Sequence, residues 1–298
     1  MARPSKYWKL LRIKIALVFF FPFGLGFTVA ADADPAMAWY KPVIAILAFF
    51  CGTLFASTLN FYADVAADRS FEGRFKDMDL RKQPFVTGEM GSAETAAVFA
   101  VSGLGCVALS LLVGYRFAAF WIPFPVVVGF LYSHPWVRLK ARPVTDIICN
   151  ILGMGFALFA GLSLGGSIRP SVMFMVWGSV FIAIVYIPTV VNDAPFDQAA
   201  GYRTSAVFFG PGRLLYSTVP LLVASIPLAV LLAASSSEPW QFRIAAPLGS
   251  ALAMAGVAVV IHQWRPPRVE LNPNLVLIPM DLLVVFFLAY GFIRIGCV

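Results

Sequence analysis

Two short stretches of this chain carry oxygen-bearing side chains at a spacing that suits a hard cation. In the first, Asn60-Phe61-Tyr62-Ala63-Asp64-Val65-Ala66-Ala67-Asp68, polar residues recur every fourth position. Residues four apart on a helix share a face, with Cβ atoms about 5–6 Å apart. Asn60, Asp64 and Asp68 therefore form a ladder of oxygen ligands at a helix end. In the second stretch, Asp193-Ala194-Pro195-Phe196-Asp197 repeats the carboxylate spacing and is followed by Gly201, Tyr202, Arg203 and Thr204. Carboxylates this close repel one another, and a divalent cation relieves the repulsion. Mg2+ favours a few carboxylates plus substrate phosphate oxygens over an all-protein cage. Two such ladders suit a diphosphate held through Mg2+, with Asp64, Asp68, Asp193 and Asp197 as the metal ligands and catalytic groups. Arg81, Lys82, Arg138, Lys140, Arg142 and Arg203 lie near these stretches and suit direct contact with phosphate oxygens. A single Asp-x-x-x-Asp reads as a solvated helix end. Two with one spacing, each beside basic residues, point to a site.

The elements that position these residues follow from composition. The chain has 298 residues, 60% of them apolar and 12% charged, with a mean hydropathy of +0.84. Soluble domains carry about 25% charged residues, so lipid is the expected solvent. Nine apolar runs, about 13–31, 42–63, 93–114, 117–134, 144–165, 171–191, 214–235, 241–262 and 274–293, each approach the length of a transmembrane helix. The expected fold is all-α, a polytopic transmembrane helical bundle of about nine helices. Internal Pro22, Pro123, Pro125, Pro188, Pro220, Pro227, Pro247 and Pro279 favour kinks that bundle neighbours can tolerate. The N-terminus, basic and then apolar, resembles a signal peptide, but eight further apolar runs make it a first transmembrane helix.

Charge gives an orientation. With the N-terminus in the cytoplasm, alternating spans leave 17 Lys and Arg residues on that side and 5 on the other. Both acidic ladders then face the cytoplasm, in an integral multi-pass membrane protein. The chain is expected to form one domain, 1–298, with a cytoplasmic cap from loops 64–92, 135–143 and 192–213. A pseudo-repeat relates the two halves, limited to the acidic motifs. The net charge of +7 does not imply nucleic acid, because the basic residues sit in short loops between apolar runs. The four cysteines lack Cys-x-x-Cys spacing and read as small core residues.

Other polar residues fall within the spans. Asp281, inside the last span, is expected to hydrogen-bond structurally or to orient an acceptor. Asn150 is expected to make an interhelical hydrogen bond. Asn192, beside Asp193, is placed to orient a metal-bound group. His134 and His262 lack partners at metal-ligand spacing and read as interfacial. Gly153, Gly155, Gly161 and Gly165 permit close helix packing. Phe61 and Tyr62, beside the first ladder, read as aromatics of the kind ordinary in lipid-facing helices.

Four ordered motifs resemble those of the UbiA superfamily of intramembrane prenyltransferases. The family's Asn-Asp-x-x-Asp-x-x-x-Asp is similar to Asn60, Phe61, Asp64 and Asp68. Its basic-Pro-Gly continuation is similar to Arg81-Lys82-Gln83-Pro84-Phe85-Val86-Thr87-Gly88. Its Tyr-Ser-x-Pro…Arg-Leu-Lys-x-Arg-Pro signature is similar to Tyr132-Ser133-His134-Pro135 through Arg138-Leu139-Lys140-Ala141-Arg142-Pro143. Its second acidic motif is similar to Asp193, Asp197, Gly201 and Thr204. Phe61 departs from the family's first acid, and the segment from Asp68 to Pro84 is longer than the family pattern. The resemblance implies an isoprenyl diphosphate bound through Mg2+ and a small lipophilic, aromatic acceptor among membrane lipids. Asn60, Arg81, Lys82, Tyr132, Arg138, Lys140, Arg142, Asn192 and Arg203 would bind substrate. It leaves terpene cyclisation at the same diphosphate site as an alternative. Transport is a further alternative, for which acids belong near the bilayer midplane.

Overall fold

Apolar runs broken by Gly, Pro and short polar segments fold here into helices joined by short connections. The computed structural model describes residues 6–70, 83–165, 170–266, 268–269 and 274–296, without the side chains of 70, 268–269 and 274–281. The helices group into two units. The first comprises Met1–Arg138, Gly155–Gly166 and Met280–Val298, and the second Leu139–Met154 and Ser167–Pro279.

The first unit holds α1 (Lys6–Leu11), α2 (Ile13–Ala33), α3 (Tyr40–Ser70), α4 (Ser92–Val113) and α5 (Tyr115–Trp121), then a π-helical turn over Pro125–Leu131. It also takes the C-terminal part of α6 (Thr145–Leu162) and most of α12 (Asn274–Arg294). Its core is aromatic. Trp121 is fully buried, stacks on Phe49 at 4.6 Å and on Phe124 at 4.5 Å, and donates its indole N–H to the Ala48 carbonyl at 2.9 Å. That bond satisfies the one polar atom the ring would otherwise strand in an apolar core. α2 and α6 pack backbone to backbone. A Cβ at Gly161 would overlap the Phe23 carbonyl, one at Gly26 the Leu158 carbonyl, and one at Gly165 the Ala30 carbonyl. Gly161 and Gly165 thus take the packing role expected of them, whereas Gly155 faces open space.

Helix α1 is stapled to the segment that begins at Gln83. Leu10 is buried with Phe85 and Met90. Lys9 Nζ reaches both Glu89 carboxylate oxygens at 2.6 and 2.8 Å, and Lys6 Nζ reaches Glu94 at 2.6 Å. At the other end, Asp32 accepts from Tyr290 and Arg294, both at 2.8 Å, tying α2 to α12.

The second unit holds the start of α6, α7 (Val172–Ala199), α8 (Ser205–Phe209), α9 (Pro211–Tyr216), α10 (Thr218–Ala234) and α11 (Trp240–His262). Ser171 caps α7 by accepting from the Phe174 N–H at 3.1 Å, which satisfies one of the donors a helix start leaves open. Phe174 stacks on Phe242 at 3.9 Å, and Trp177 donates to Ser250 at 3.0 Å, joining α7 to α11. Two-residue strands, Trp264–Arg265 and Arg268–Val269, pair antiparallel after α11.

Seven helices are long and apolar enough to cross a membrane among the described residues. The other two expected spans coincide with shorter apolar helices, Tyr115–Leu131 and Leu282–Arg294. In the first of these, Pro123 and Pro125 lack the N–H that an α-helix needs, and the chain passes into the π-helical turn. The loops expected over 64–92 and 192–213 begin later than their sequence suggested. α3 runs on to Ser70 and α7 to Ala199, so all four motif aspartates lie on helices. The 135–143 connection carries a single 3-10 turn, Leu139–Ala141. Among the described residues Asn150 does not bond to another helix. Its side-chain amide donates at 2.9 Å to the Asp146 carbonyl one turn back in α6.

Candidate active site

The first acidic ladder occupies the last turns of α3, and three separate segments of the first unit supply its partners. Asp64 accepts from Arg138 Nη2 at 2.8 Å, and both side chains are 19% exposed. Arg138 itself has φ +45°. A non-glycine residue in this left-handed region is strained, and such strain persists only where surrounding contacts impose it. Here the Arg138 N–H donates to the His134 carbonyl at 2.9 Å and the guanidinium is held by Asp64. Asp68 accepts from the Gln83 side-chain amide at 3.0 Å, and the same amide donates to the Phe61 carbonyl at 2.7 Å. Gln83 is buried, and its own oxygen accepts from the Phe85 N–H at 3.1 Å. Gln83 thus fixes the turn it opens against the end of α3.

Asn60, one turn before Asp64, is engaged at both ends of its amide. Its Nδ2 donates to the buried Ser133 hydroxyl at 3.1 Å, and its Oδ1 accepts from Arg12 Nη1 at 3.3 Å. Ser133 and the half-buried Tyr132 follow directly on the π-helical turn, an element that recurs at functional sites. Arg12, at φ +45°, breaks α1 from α2 and sets its guanidinium 4.9 Å from the Phe61 ring centroid. Phe61 packs against the Leu10, Phe85 and Met90 cluster. The aromatic residue that departs from the family pattern therefore serves packing and a cation–π contact at this position. Tyr62 is 56% exposed and meets Phe85 and Phe99 edge-on.

The second ladder ends α7 in the second unit. Asp193 is exposed and Asp197 half-buried, one helical turn apart. The charged and polar groups acting on Asp197 are Asp193, the Thr204 hydroxyl, Lys140 and Asp146. Thr204 is buried, and its hydroxyl makes no hydrogen bond of good geometry. α7 terminates through Gly201, whose φ of +75° suits a helix end that a side chain would strain. The Tyr202 N–H then turns back to the Asp197 carbonyl at 2.8 Å, and the Arg203 N–H reaches the Ala141 carbonyl at 3.2 Å. The Arg203 guanidinium is exposed and lies 5.3 Å from the Phe208 ring centroid. Lys140 and Asn192 are half-buried and Arg142 is exposed.

One acid here escaped the sequence reading. Asp146, 2% exposed at the start of α6, accepts from the Ser205 N–H at 2.8 Å and the Ser205 hydroxyl at 2.5 Å. Ser205 in turn accepts from the N–H of Val144, a β-branched residue held at φ +71°. This clamp binds the start of α6 to the start of α8 and fixes the residues just after Arg203 and Thr204. The Thr145-Asp146 pair opening an apolar run is a helix-start signal that could have flagged it. Nothing local flags Gln83, Ser133 or Arg12 as partners.

Arg81, Lys82 and the side chain of Asp281 lie outside the described residues. His134 stacks on Phe130 at 4.5 Å and meets Trp136 at 5.0 Å. No three His, Cys, Asp or Glu side chains among the described residues form a metal-holding group. Each ladder instead offers two carboxylates with lysine or arginine nearby, a donor set that suits Mg2+ sharing its shell with phosphate oxygens.

Comparison with known proteins gives concordant matches. The profile described as the UbiA prenyltransferase family matches residues 19–275. A curated relative, 4-hydroxybenzoate octaprenyltransferase of Aromatoleum aromaticum, is 24% identical over 237 residues, covering 78% of this chain and 74% of that protein. A UbiA homolog from Archaeoglobus fulgidus, solved bound to DMAPP and Mg2+, is 32% identical with a TM-score of 0.88, covering 99% of this chain and all of that one. The same homolog bound to GPP and Mg2+ matches at 31% identity and a TM-score of 0.87, over 98% of this chain and 100% of that one.

Proposed function

The chain belongs to the UbiA prenyltransferase family, and we propose that it is a Mg2+-dependent enzyme that moves an isoprenyl group from an isoprenyl diphosphate to a small lipophilic, aromatic acceptor. The carrying observation is the pair Asp64 and Asp68, on one face of α3, each oriented by a donor from elsewhere in the chain. Asp193 and Asp197 repeat the spacing at the end of α7. The Archaeoglobus homolog binds DMAPP or GPP with Mg2+, and the curated relative's name supplies the aromatic acceptor. Mg2+ held by these aspartates would neutralise charge that develops on the departing diphosphate.

In the proposed reaction the C1–O bond of the prenyl diphosphate breaks and its electron pair leaves with the diphosphate. The acceptor forms a bond to C1 and loses a proton. Asp64 and Asp68 on α3 and Asp193 and Asp197 on α7 are the residues that would hold Mg2+, and Arg138, Lys140 and Arg203 would donate to phosphate oxygens. Such fixed donors aimed at developing charge are the largest protein contribution to this kind of step. Asn60 and Ser133 keep the ladder in register. The 17-to-5 division of basic residues supports a cytoplasmic site and a cap from the polar connections over one domain.

The test is product analysis by mass spectrometry on purified protein given a panel of isoprenyl diphosphates, with and without phenolic acceptors. Prenylated acceptor should form only with Mg2+ and cease with EDTA. Asp64→Asn and Asp193→Asn should each lower turnover about a hundredfold or more. Unchanged turnover in both variants refutes the site, and a cyclic hydrocarbon without acceptor replaces transfer with cyclisation.

A further inference from the structure

The opposite end of α3 opens on a cavity within the first unit, remote from Asp64 and Asp68. It holds about 390 Å3 and is lined by Asp34, Lys41, Arg116 and the segments around Gly114 and Ser163. Lys41 and Asp64 are 23 positions apart on one helix, which at about 1.5 Å per residue puts them roughly 35 Å apart. That is about the thickness of a bilayer core, so this cavity lies at the other membrane surface. Tyr115, which lines it, is 75% exposed, and Trp39 and Tyr40, just before Lys41 in the chain, are 62% and 51% exposed. Trp and Tyr collect at the level of lipid headgroups, where one end of the ring is apolar and the other wet.

The charges in the cavity are mixed. Lys41 and Asp34 are half-buried, and among the described residues neither side chain has an ion-pair or hydrogen-bond partner. Asp32, two residues earlier, is by contrast neutralised by Arg294 and Tyr290. Arg116 is oriented by its own Nε–H bond to the Tyr115 hydroxyl at 3.1 Å. A plain anion entering here would meet Asp34, and a plain cation would meet Lys41 and Arg116. A ligand with phosphate at one end and a hydrogen-bonding ammonium at the other meets both.

We propose that this cavity binds the zwitterionic headgroup of a phosphoethanolamine lipid, with the phosphate on Lys41 and Arg116 and the ammonium on Asp34. Its size is that of a small-molecule pocket, about 300–1,000 Å3. A choline headgroup carries no N–H to give Asp34, and a glycerol headgroup carries no cation. The site therefore discriminates among lipids by charge pairing as well as by hydrogen bonding.

Purified protein is reconstituted with phosphatidylethanolamine, phosphatidylcholine or phosphatidylglycerol. Retained lipid is counted by native mass spectrometry, and the unfolding midpoint is measured alongside. Phosphatidylethanolamine should be retained best and stabilise most. Lys41→Gln/Arg116→Gln should lower its retention about tenfold or more, the size of one charge-assisted hydrogen bond. Asp34→Asn should abolish the preference for phosphatidylethanolamine over phosphatidylglycerol. Prenyl transfer in detergent, unchanged in these variants, reports that they fold. Equal retention of the three lipids, or full retention by the Lys41/Arg116 variant, overturns the proposal. A midpoint shift reproduced by soluble phosphoethanolamine or inorganic phosphate alone overturns the lipid assignment.

Discussion

Replacing Asp146 tests whether the clamp between α6 and α8 holds the second ladder's surroundings. Its carboxylate accepts both donors of Ser205, a residue with no exposure at all. Removing the acceptor leaves two buried donors unpaired, at about 1–3 kcal/mol each, so Asp146→Ala should cost about 4 kcal/mol. Asp146→Asn keeps one acceptor oxygen but turns an N–H towards a donor, for a cost of about 2 kcal/mol. Ser205→Ala removes a donor to Asp146 and strands the Val144 N–H, again about 2 kcal/mol. The two alanine variants share the same bonds. The double variant should therefore cost about 4 rather than about 6 kcal/mol, a coupling of about 2 kcal/mol. Unfolding by SDS titration in mixed micelles, read by circular dichroism, gives all four corners of the cycle. Turnover should fall with Asp146→Ala, because the chain that carries Arg203 and Thr204 is released. An Asp146→Ala cost under about 1 kcal/mol, or costs additive within about 0.5 kcal/mol, would refute the clamp.

Gln83→Leu removes the amide that orients Asp68, and such supporting bonds carry about 10–100-fold in metal affinity. The Mg2+ concentration for half-maximal rate should rise by at least about tenfold, and an unchanged Mg2+ curve counts against Asp68 as a ligand. Gly161→Val should cost about 3 kcal/mol or more, because a side chain there meets the α2 backbone. Gly155→Val, facing open space, should stay within about 0.5 kcal/mol of the parent in the same unfolding assay. Trp177→Phe loses a buried bond to Ser250 and should cost about 0.6 kcal/mol, typical of hydrogen bonds between membrane helices.

Periodic and local features were legible in the amino-acid order. A four-residue repeat of carboxylates fixes a helical face wherever the helix lies, so both ladders were legible before any fold. Apolar run length marked nine spans, of which seven are helices long and apolar enough to cross a membrane among the described residues; Pro123 and Pro125 break another run into a shorter helix and a π-helical turn, which length alone does not reveal. Gly161 and Gly165 could be marked as packing positions, but not distinguished from Gly155, because the difference is which backbone lies opposite.

The partners of these side chains came from the fold. Asp64 takes Arg138 from 74 residues away, Asp68 takes Gln83 across a 15-residue gap, and Asp146 takes Ser205 from 59 residues away. Asn150, expected to bridge helices, bonds instead within its own. The cause is common to all of them. A helix face is set by the 3.6-residue turn of the chain itself, whereas a hydrogen bond between distant segments depends on how packing brings their backbones together, and no spacing in one segment encodes that.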